Sequence, residues 1–486
     1  MKRSKFSLSH YKLLSCDMGE LIPCGLQEVL PGDTFQQSTS ILVRASPLLA
    51  PVMHPVHVRI HHWFVPHRLV WEDWEEFITG GPDGMDDSVF PTITAGGSGY
   101  PVGSLSDYLG VPPGVANLEH SALPHRGYGL IWNEWYRDQD LQSEVFVDKT
   151  SGPDANTSVA LQNVGWEKDY FTSARPWEQK GPTISIPVGG AAPVTGSVEF
   201  LTNSTVRTVS ATGGTSGARG MEIPATNNPD TVMARLGADA EADLSGASAV
   251  NVNILREALA LQRYEEARAR YGSRYVEYLR YLGVRSSDAR LQRPEYLGGG
   301  QATIQFSEVL QTAEGTNPVG ELRGHGIGTP RSNRYRKFFE EHGYIHTFVS
   351  VRPKTIYANG LFRHWNRRTK EDFWQRELQH IGQQEVLNKE VYAASASPDD
   401  VFGFQDRYDE YRRTESSIGG EFRTTLDFWH MARIFSSSPA LNADFVKSVP
   451  TERTFAVPSE DVLWLMARHN IQARRMVAAQ GHSYIF

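Results

Sequence analysis

Sixteen histidines in 486 residues are the first place to look for chemistry in this chain. His57 and His61 share a face if their segment is extended, as do His342 and His346. Imidazoles at such spacing can hold zinc or iron, and cupins build such sites on a jelly roll. A zinc-hydrolase helix would need Glu directly after His342, where Gly343 and Tyr344 stand instead. Imidazoles on strand faces also serve simply as hydrogen-bonding groups, and no metal site is expected. The glycine cluster at 320–328 resembles a phosphate-cradling loop but lacks the Gly-Lys-Ser/Thr ending and a strand running into it. No Gly-x-Ser-x-Gly elbow occurs. These patterns predict neither an enzyme nor a cofactor.

Cations beside aromatics make a stronger pattern. Arg331, Arg334, Arg336 and Lys337 interleave with Tyr335, Phe338 and Phe339, while Arg363, Arg367, Arg368 and Lys370 surround Trp365. Lys2, Arg3, Lys5 and Lys12 lie in the first twelve residues, which contain no acid. Such groupings suit phosphate neutralisation and base stacking, the two means of holding single-stranded DNA without reading its sequence. The competing reading is a charged face bridging to acids on a neighbouring subunit. Net charge is −8, so contact with nucleic acid has to be local. Residues 323–370 hold eleven Lys/Arg and two Glu, whereas 71–87 hold seven acids and no Lys or Arg.

The elements that would position these groups read mainly as strands. Val56, Val58, Ile60, His62 and Phe64 alternate with His57, Arg59, His61, Trp63 and Val65, the period of a strand with two different faces. After Pro66 the period becomes helical, with Val70, Trp74, Phe77 and Ile78 on one face and Gly80-Gly81 as the stop. Trp71, Trp74 and Phe77, with Trp132 and Trp135 in a second short helix at 130–136, are expected to anchor subunit contacts. Residues 1–12 read as a basic arm. Residues 187–250 are rich in Gly, Ala, Thr and Ser with Phe200 as the single aromatic, and predict a surface-exposed excursion outside the main core. Asn253 is expected to cap a helix broken at Gly272, and Ser273 a second piece ending at Gly283. A last helix is expected after Ser459, bringing Leu463, Met466, Ala467 and Ile471 together. Strands at both ends favour a mainly β sandwich or jelly roll. Cys16 and Cys24 are too few for a disulfide framework and point to a reducing compartment. No signal peptide is apparent, and no apolar run approaches the roughly 20 residues needed to cross a bilayer.

Several segments together resemble the major capsid protein family of the Microviridae, nearest its gokushovirus-like branch. They are the segment 53–81, the N-terminal run Ser7-Leu8-Ser9-His10-Tyr11 continuing to Gly19, and Glu28-Val29-Leu30-Pro31-Gly32-Asp33. Arg290-Leu291-Gln292-Arg293-Pro294-Glu295-Tyr296-Leu297-Gly298-Gly299, Phe338-Phe339-Glu340-Glu341-His342-Gly343-Tyr344, Ser350-Val351-Arg352-Pro353-Lys354 and Leu426-Asp427-Phe428-Trp429-His430-Met431-Ala432-Arg433 follow in the family's order. The resemblance implies an eight-stranded antiparallel jelly roll with long inter-strand loops, spanning 1–486 as one domain. It implies a homo-oligomeric T=1 icosahedral shell around a single-stranded DNA genome, assembled in the host cytoplasm. Implied partners are internal scaffolding, DNA-packaging and pilot proteins, and a host-surface receptor met by threefold protrusions built from the insertion. Two other readings stay open on the residues alone: a carbohydrate-binding jelly-roll protein, and a cupin-like metalloenzyme.

Overall fold

In the computed structural model the described residues are 3–182, 184, 252–272, 274–312 and 319–479, with short strand backbones between 194 and 242. The chain divides into two compact units, Met1–Glu178 with Arg268–Phe486, and Gln179–Ala267.

The larger unit is built on ten antiparallel strands: β1 (Ser4–Ser7), β2 (His10–Cys16), β3 (Ile22–Val29), β4 (Thr34–Ala45), β5 (Val56–Pro66), β6 (Glu295–Leu310), β7 (Leu322–Gly328), β8 (Tyr335–Phe338), β9 (Gly343–Pro353) and β10 (Leu463–Arg475). Eight follow one hydrogen-bonded path, β1-β10-β4-β7-β6-β5-β9-β3, while β2 pairs with β10 and β8 with β4. This is the mainly β, jelly-roll architecture expected from the strand pattern.

One strand turns the path into two facing layers. Within β6, Glu295–Ile304 pair with β5 and Gln305–Leu310 pair with β7, so a single strand serves both sheets. A bulge lies between Tyr296 and Gly298, and Gly300 then passes so close to the 331 backbone that a Cβ would stand 2.1 Å from Arg331 O. Ile41 and Val43 of β4 and Leu465 and Ala467 of β10 face Val56, Val58 and Ile60 of β5 and Val349 and Val351 of β9 across a single core. Cys16 and Cys24 lie in that core as free thiols. Burial pushes the Cys24 thiol up to about 12.

Imidazoles sit inside the sandwich and are mostly used as polar joints. His62 joins Thr347 Oγ1 at 2.9 Å and Ser332 Oγ at 3.0 Å. His469 joins Thr39 Oγ1 and the carbonyl of Cys24, both at 2.9 Å. Burying these rings is tolerable because both nitrogens find partners.

A third layer covers the outer side of β5, β9 and β3. It comprises α1 (Trp74–Thr79), α2 (Leu105–Leu109) and α3 (Leu123–Ile131), with a π-helical turn at Trp132–Tyr136. Trp63, Val65 and Phe348 from the sheet pack against Val70, Trp71, Leu105, Leu123, Tyr128, Ile131 and Trp132. Gly80, at φ +83°, ends α1 as its pattern predicted.

The structure departs from several of the expectations. Residues 4–7 and 10–16 are strands, not a free arm, because their backbone groups pair with β10. The helix expected after Ser459 is instead β10. Its sequence also carries period two, with Leu463, Leu465, Ala467, His469, Ile471 and Ala473 buried and Trp464, Met466, Arg468 and Asn470 exposed. A strand partner on each side decides between the two periods. The helix Val252–Tyr271 starts one residue before Asn253, which is therefore not its cap; Gly272, at φ +100°, does end it. Arg274 stands at the N-cap of the next helix, Tyr275–Tyr281, and Ser273 lies outside the described residues. In the smaller unit Val198–Thr202 pairs with Thr205–Arg207 and Val232–Leu236. Otherwise the expected excursion at 187–250 lies outside the described residues.

The last correction concerns Trp71 and Trp132. Both are buried within the chain, Trp71 completely, with its Nε1 donating to Ser151 Oγ at 2.8 Å, so neither has a surface to offer a neighbour. Trp71→Ala is expected to cost about 3–5 kcal/mol of stability, read as a lowered thermal midpoint or loss of soluble protein. An unchanged midpoint would contradict this core assignment.

Candidate nucleic-acid interface

The outer face of the β1-β10-β4-β7 sheet combines exposure, positive charge and aromatic rings. Register defines that face, because directly paired residues point the same way. Lys5 pairs with Arg474, Tyr11 with Arg468, and Leu13 with Met466. Trp464 pairs with Arg44, Arg468 with Ser40, and Arg474 with Thr34. Ile327 also pairs with Arg44, Arg336 pairs with Gln36, Phe338 with Thr34, and Arg331 bridges to Ser40. Alternation along β7 adds Arg323 and His325 to the same side.

Lys5, Arg44, Arg323, Arg331, Arg336, Arg468 and Arg474 thus lie on one face with Tyr11, Phe338 and Trp464 between them. No outward position of β1, β2, β4, β7, β8 or β10 is a carboxylate. Among the described residues, acids stand at the rim of this face: Glu321 pairs with Arg323 at 2.7 Å, and Asp461 accepts from Ser15 Oγ. Tyr11, Phe338 and Trp464 are 61%, 49% and 47% exposed, which leaves ring faces free to stack. The Arg468 guanidinium lies 5.7 Å from the Tyr11 ring. Two arginines elsewhere in the fold are matched by buried acids: Arg126 meets Asp154 at 2.8 Å and Arg475 meets Asp33 at 2.9 Å.

The sequence-predicted cations divide between this face and other duties. Lys5, Arg331 and Arg336 stand on it, and their side chains carry no ion pair to the described residues. Arg3 lies at its edge, donating to Gly32 O at 2.9 Å and Thr34 Oγ1 at 3.0 Å with its guanidinium near Phe338. Arg334 is exposed in the turn before β8. Lys12 points the other way, into the chain. Its Nζ donates to the carbonyls of Pro23 and Tyr108, and burial pulls its pKa down, so it is no phosphate contact. Lys337 is tied to Glu295 at 2.6 Å. Arg367 sits 3.5 Å from Glu410 and over Tyr411, while Arg368 donates to the carbonyls of Trp365 and Arg367; neither belongs to the sheet. Lys2 lies outside the described residues. The sequence alone does not single out Arg44, Arg323, Arg468, Arg474 or Trp464, three of them because the apolar spacing of β10 also fits a helix.

Of the other candidate anchors, Trp74 is half-buried, its ring 4.6 Å from His67 and 5.3 Å from His342. Phe77 is exposed. Trp135 is half-buried under Arg293, 4.1 Å away. The histidine pairs do not form a ligand set. His57 faces Thr303 Oγ1 at 3.3 Å, His61 joins Tyr136 Oη at 2.7 Å, and both nitrogens of His346 are buried without a partner. Among the described residues, no three His, Cys, Asp or Glu side chains converge as a metal site. No helix there is long and apolar enough to cross a membrane.

Comparison with known proteins adds independent information. Residues 1–484 match the family described as capsid protein (F protein). The chain is 39% identical to capsid protein VP1 of Bdellovibrio phage phiMH2K, with 94% of this chain and 90% of the relative covered. It is 34% identical to capsid protein VP1 of Chlamydia phage 1, covering 95% and 92%. For capsid protein VP1 of Spiroplasma virus 4 the identity is 32%, covering 94% and 90%.

Proposed function

From the premise that this chain belongs to the capsid protein (F protein) family of the Microviridae, we propose that it assembles with copies of itself into a T=1 icosahedral shell and neutralises a packaged single-stranded DNA genome with the outer face of its β1-β10-β4-β7 sheet. A capsid protein is a structural component of the virion, and its chemistry is binding. The observation that carries the genome assignment is the absence of any carboxylate from the outward strand positions that hold seven cations and three exposed aromatics. A solvated face has no need to exclude acids in a chain of net charge −8. Phosphates would meet the guanidinium groups, and bases would stack on Tyr11, Phe338 and Trp464 without sequence preference.

Scaffolding, DNA-packaging and pilot proteins are the partners such a shell would use during assembly, and on its composition we assign the 187–250 insertion to surface protrusions and contact with a host receptor. Expression of the full chain, alone and with those partners, followed by electron microscopy and nucleic-acid analysis, tests this reading. Uniform small shells containing single-stranded DNA are the expected result. A soluble monomer that binds sugar or metal would instead favour the lectin or cupin reading.

The half-buried Trp74 separates assembly from folding. Trp74→Ala is expected to leave soluble, folded subunit while lowering particle yield severalfold, because α1 buries none of its own residues. Insoluble protein from this variant would make α1 a folding element instead.

A further inference from the structure

A recess of about 460 Å³ opens on the other sheet, where Arg59 and His61 of β5 and Ser350 and Arg352 of β9 face outward beneath residues 135–138 and 164–168. Arg59 and Ser350 are direct cross-strand partners, and Arg352 lies two residues further along the same face. Positive charge there exceeds its internal compensation. Glu167 is shared by Arg59, at 3.6 Å, and Lys354, at 3.1 Å. Arg352 finds one acceptor among the described residues, the carbonyl of Gly165. The other carboxylate in the lining, Asp138, is already paired with Lys168 and Arg175. Arg59 Nε and Arg137 Nε are buried with no hydrogen-bond partner. Rings of His61, Trp135, Tyr136 and Trp166 also line it, beside Val164 and Val446.

We propose that this recess binds an organic phosphate the size of a mononucleotide, the phosphate held by Arg59 and Arg352 and the ring laid against the His61, Trp135 and Trp166 wall. Guanidinium forks match phosphate oxygens in pairs, and an anion would supply the compensation that Glu167 alone cannot. Burial, followed by the neighbouring Arg59, pulls the Arg352 guanidinium down to about 10, the direction expected where cations are short of counter-charge. The site lies on the opposite sheet from the proposed genome face and does not depend on that reading.

Calorimetric titration of the full-length protein with dTMP, thymidine and inorganic phosphate tests the proposal. Saturable dTMP binding is expected, with thymidine and inorganic phosphate each at least tenfold weaker. Arg59→Gln should weaken dTMP at least tenfold while particle formation, the control for folding, persists. Arg44→Glu/Arg468→Glu on the genome face should bind dTMP like the parent protein. No binding at millimolar dTMP, or unchanged binding by Arg59→Gln, would overturn the site. Inorganic phosphate binding as tightly as dTMP would overturn the ring assignment.

Discussion

Reversing two charges on the sheet face, Arg44→Glu with Arg468→Glu, is expected to yield shells that assemble but hold severalfold less DNA. Arg44 pairs with Trp464 and Ile327, and Arg468 with Tyr11 and Ser40, so the changes fall on strand positions that face away from the core. Each phosphate contact on single-stranded DNA contributes about 0.7 to the slope of log affinity against log salt. Losing two should flatten that slope by about 1.4, roughly a sevenfold difference across a fourfold change in salt. The introduced carboxylates would add repulsion to the loss. Arg44→Lys with Arg468→Lys keeps the charge and should retain most of the packaged DNA. Trp464→Ala should cost a further 1–3 kcal/mol or so wherever a base stacks. Genome content and salt response equal to the parent's would reject the assignment; folded subunits unable to form shells would make this face a subunit contact.

Acid should unfold the subunit over a narrow range below pH 6.5. Burial is the first cause of depression at nine histidines, and at seven the shift is large: His62, His125 and His346 fall to about 3, and His54, His61, His67 and His469 to about 4. An unfolded histidine protonates near 6.5, so between that value and the folded one the unfolded chain binds more protons. Stability is therefore full above pH 6.5 and falls with pH below it, by about 1.4 kcal/mol per unit for each ring. Seven rings give an upper bound of about 10 kcal/mol per pH unit, comparable to the whole stability of an ordinary domain. Glu20 works in the opposite direction, since burial and then Asp17 push it up to about 7, and burial also raises Asp17, Glu390, Asp409, Glu415 and Glu452, so these carboxylates offset part of the fall. Thermal midpoints from pH 7.5 to 4.5 should fall steeply below 6.5. His346 provides the control, because neither of its nitrogens is paired and its ring packs against Gly127, where a Cβ would stand 2.6 Å from Nε2. His346→Leu should keep or raise stability at pH 7 and remove about one proton's worth of the slope. A midpoint flat down to pH 5 would contradict the neutral, buried state of these rings.

Strand β5 is legible because its alternation ends at Pro66 and matches one element, whereas the helical spacing after Pro66 is realised only in part: the helix spans Trp74–Thr79, Val70 precedes it, and Phe77 and Ile78 are exposed. Strand β10 is not legible, because Leu463, Met466, Ala467 and Ile471 also fit a helix. Pairing with β4 and β2, a non-local choice, decides it. The helical spacing hides Trp464, Arg468 and Arg474, and with them much of the candidate interface. Arg44 was hidden for another reason: an isolated arginine in an apolar strand gains meaning only when register sets it beside Trp464. Lys12 shows the converse failure, since charge in a sequence carries no direction, and alternation along β2 turns its ammonium inward. Residue type alone does not place Trp71 either; large aromatics anchor interfaces and cores equally well, and the layer over β5 settles which. The capsid motifs, by contrast, were visible throughout because they are contiguous.

An image of DNA-filled particles at side-chain resolution tests the central claim most directly. It should show Arg44, Tyr11, Trp464 and Arg468 lining the lumen with nucleotide density against them. The same face turned to the exterior, or sealed against a neighbouring subunit with the genome elsewhere, would contradict it.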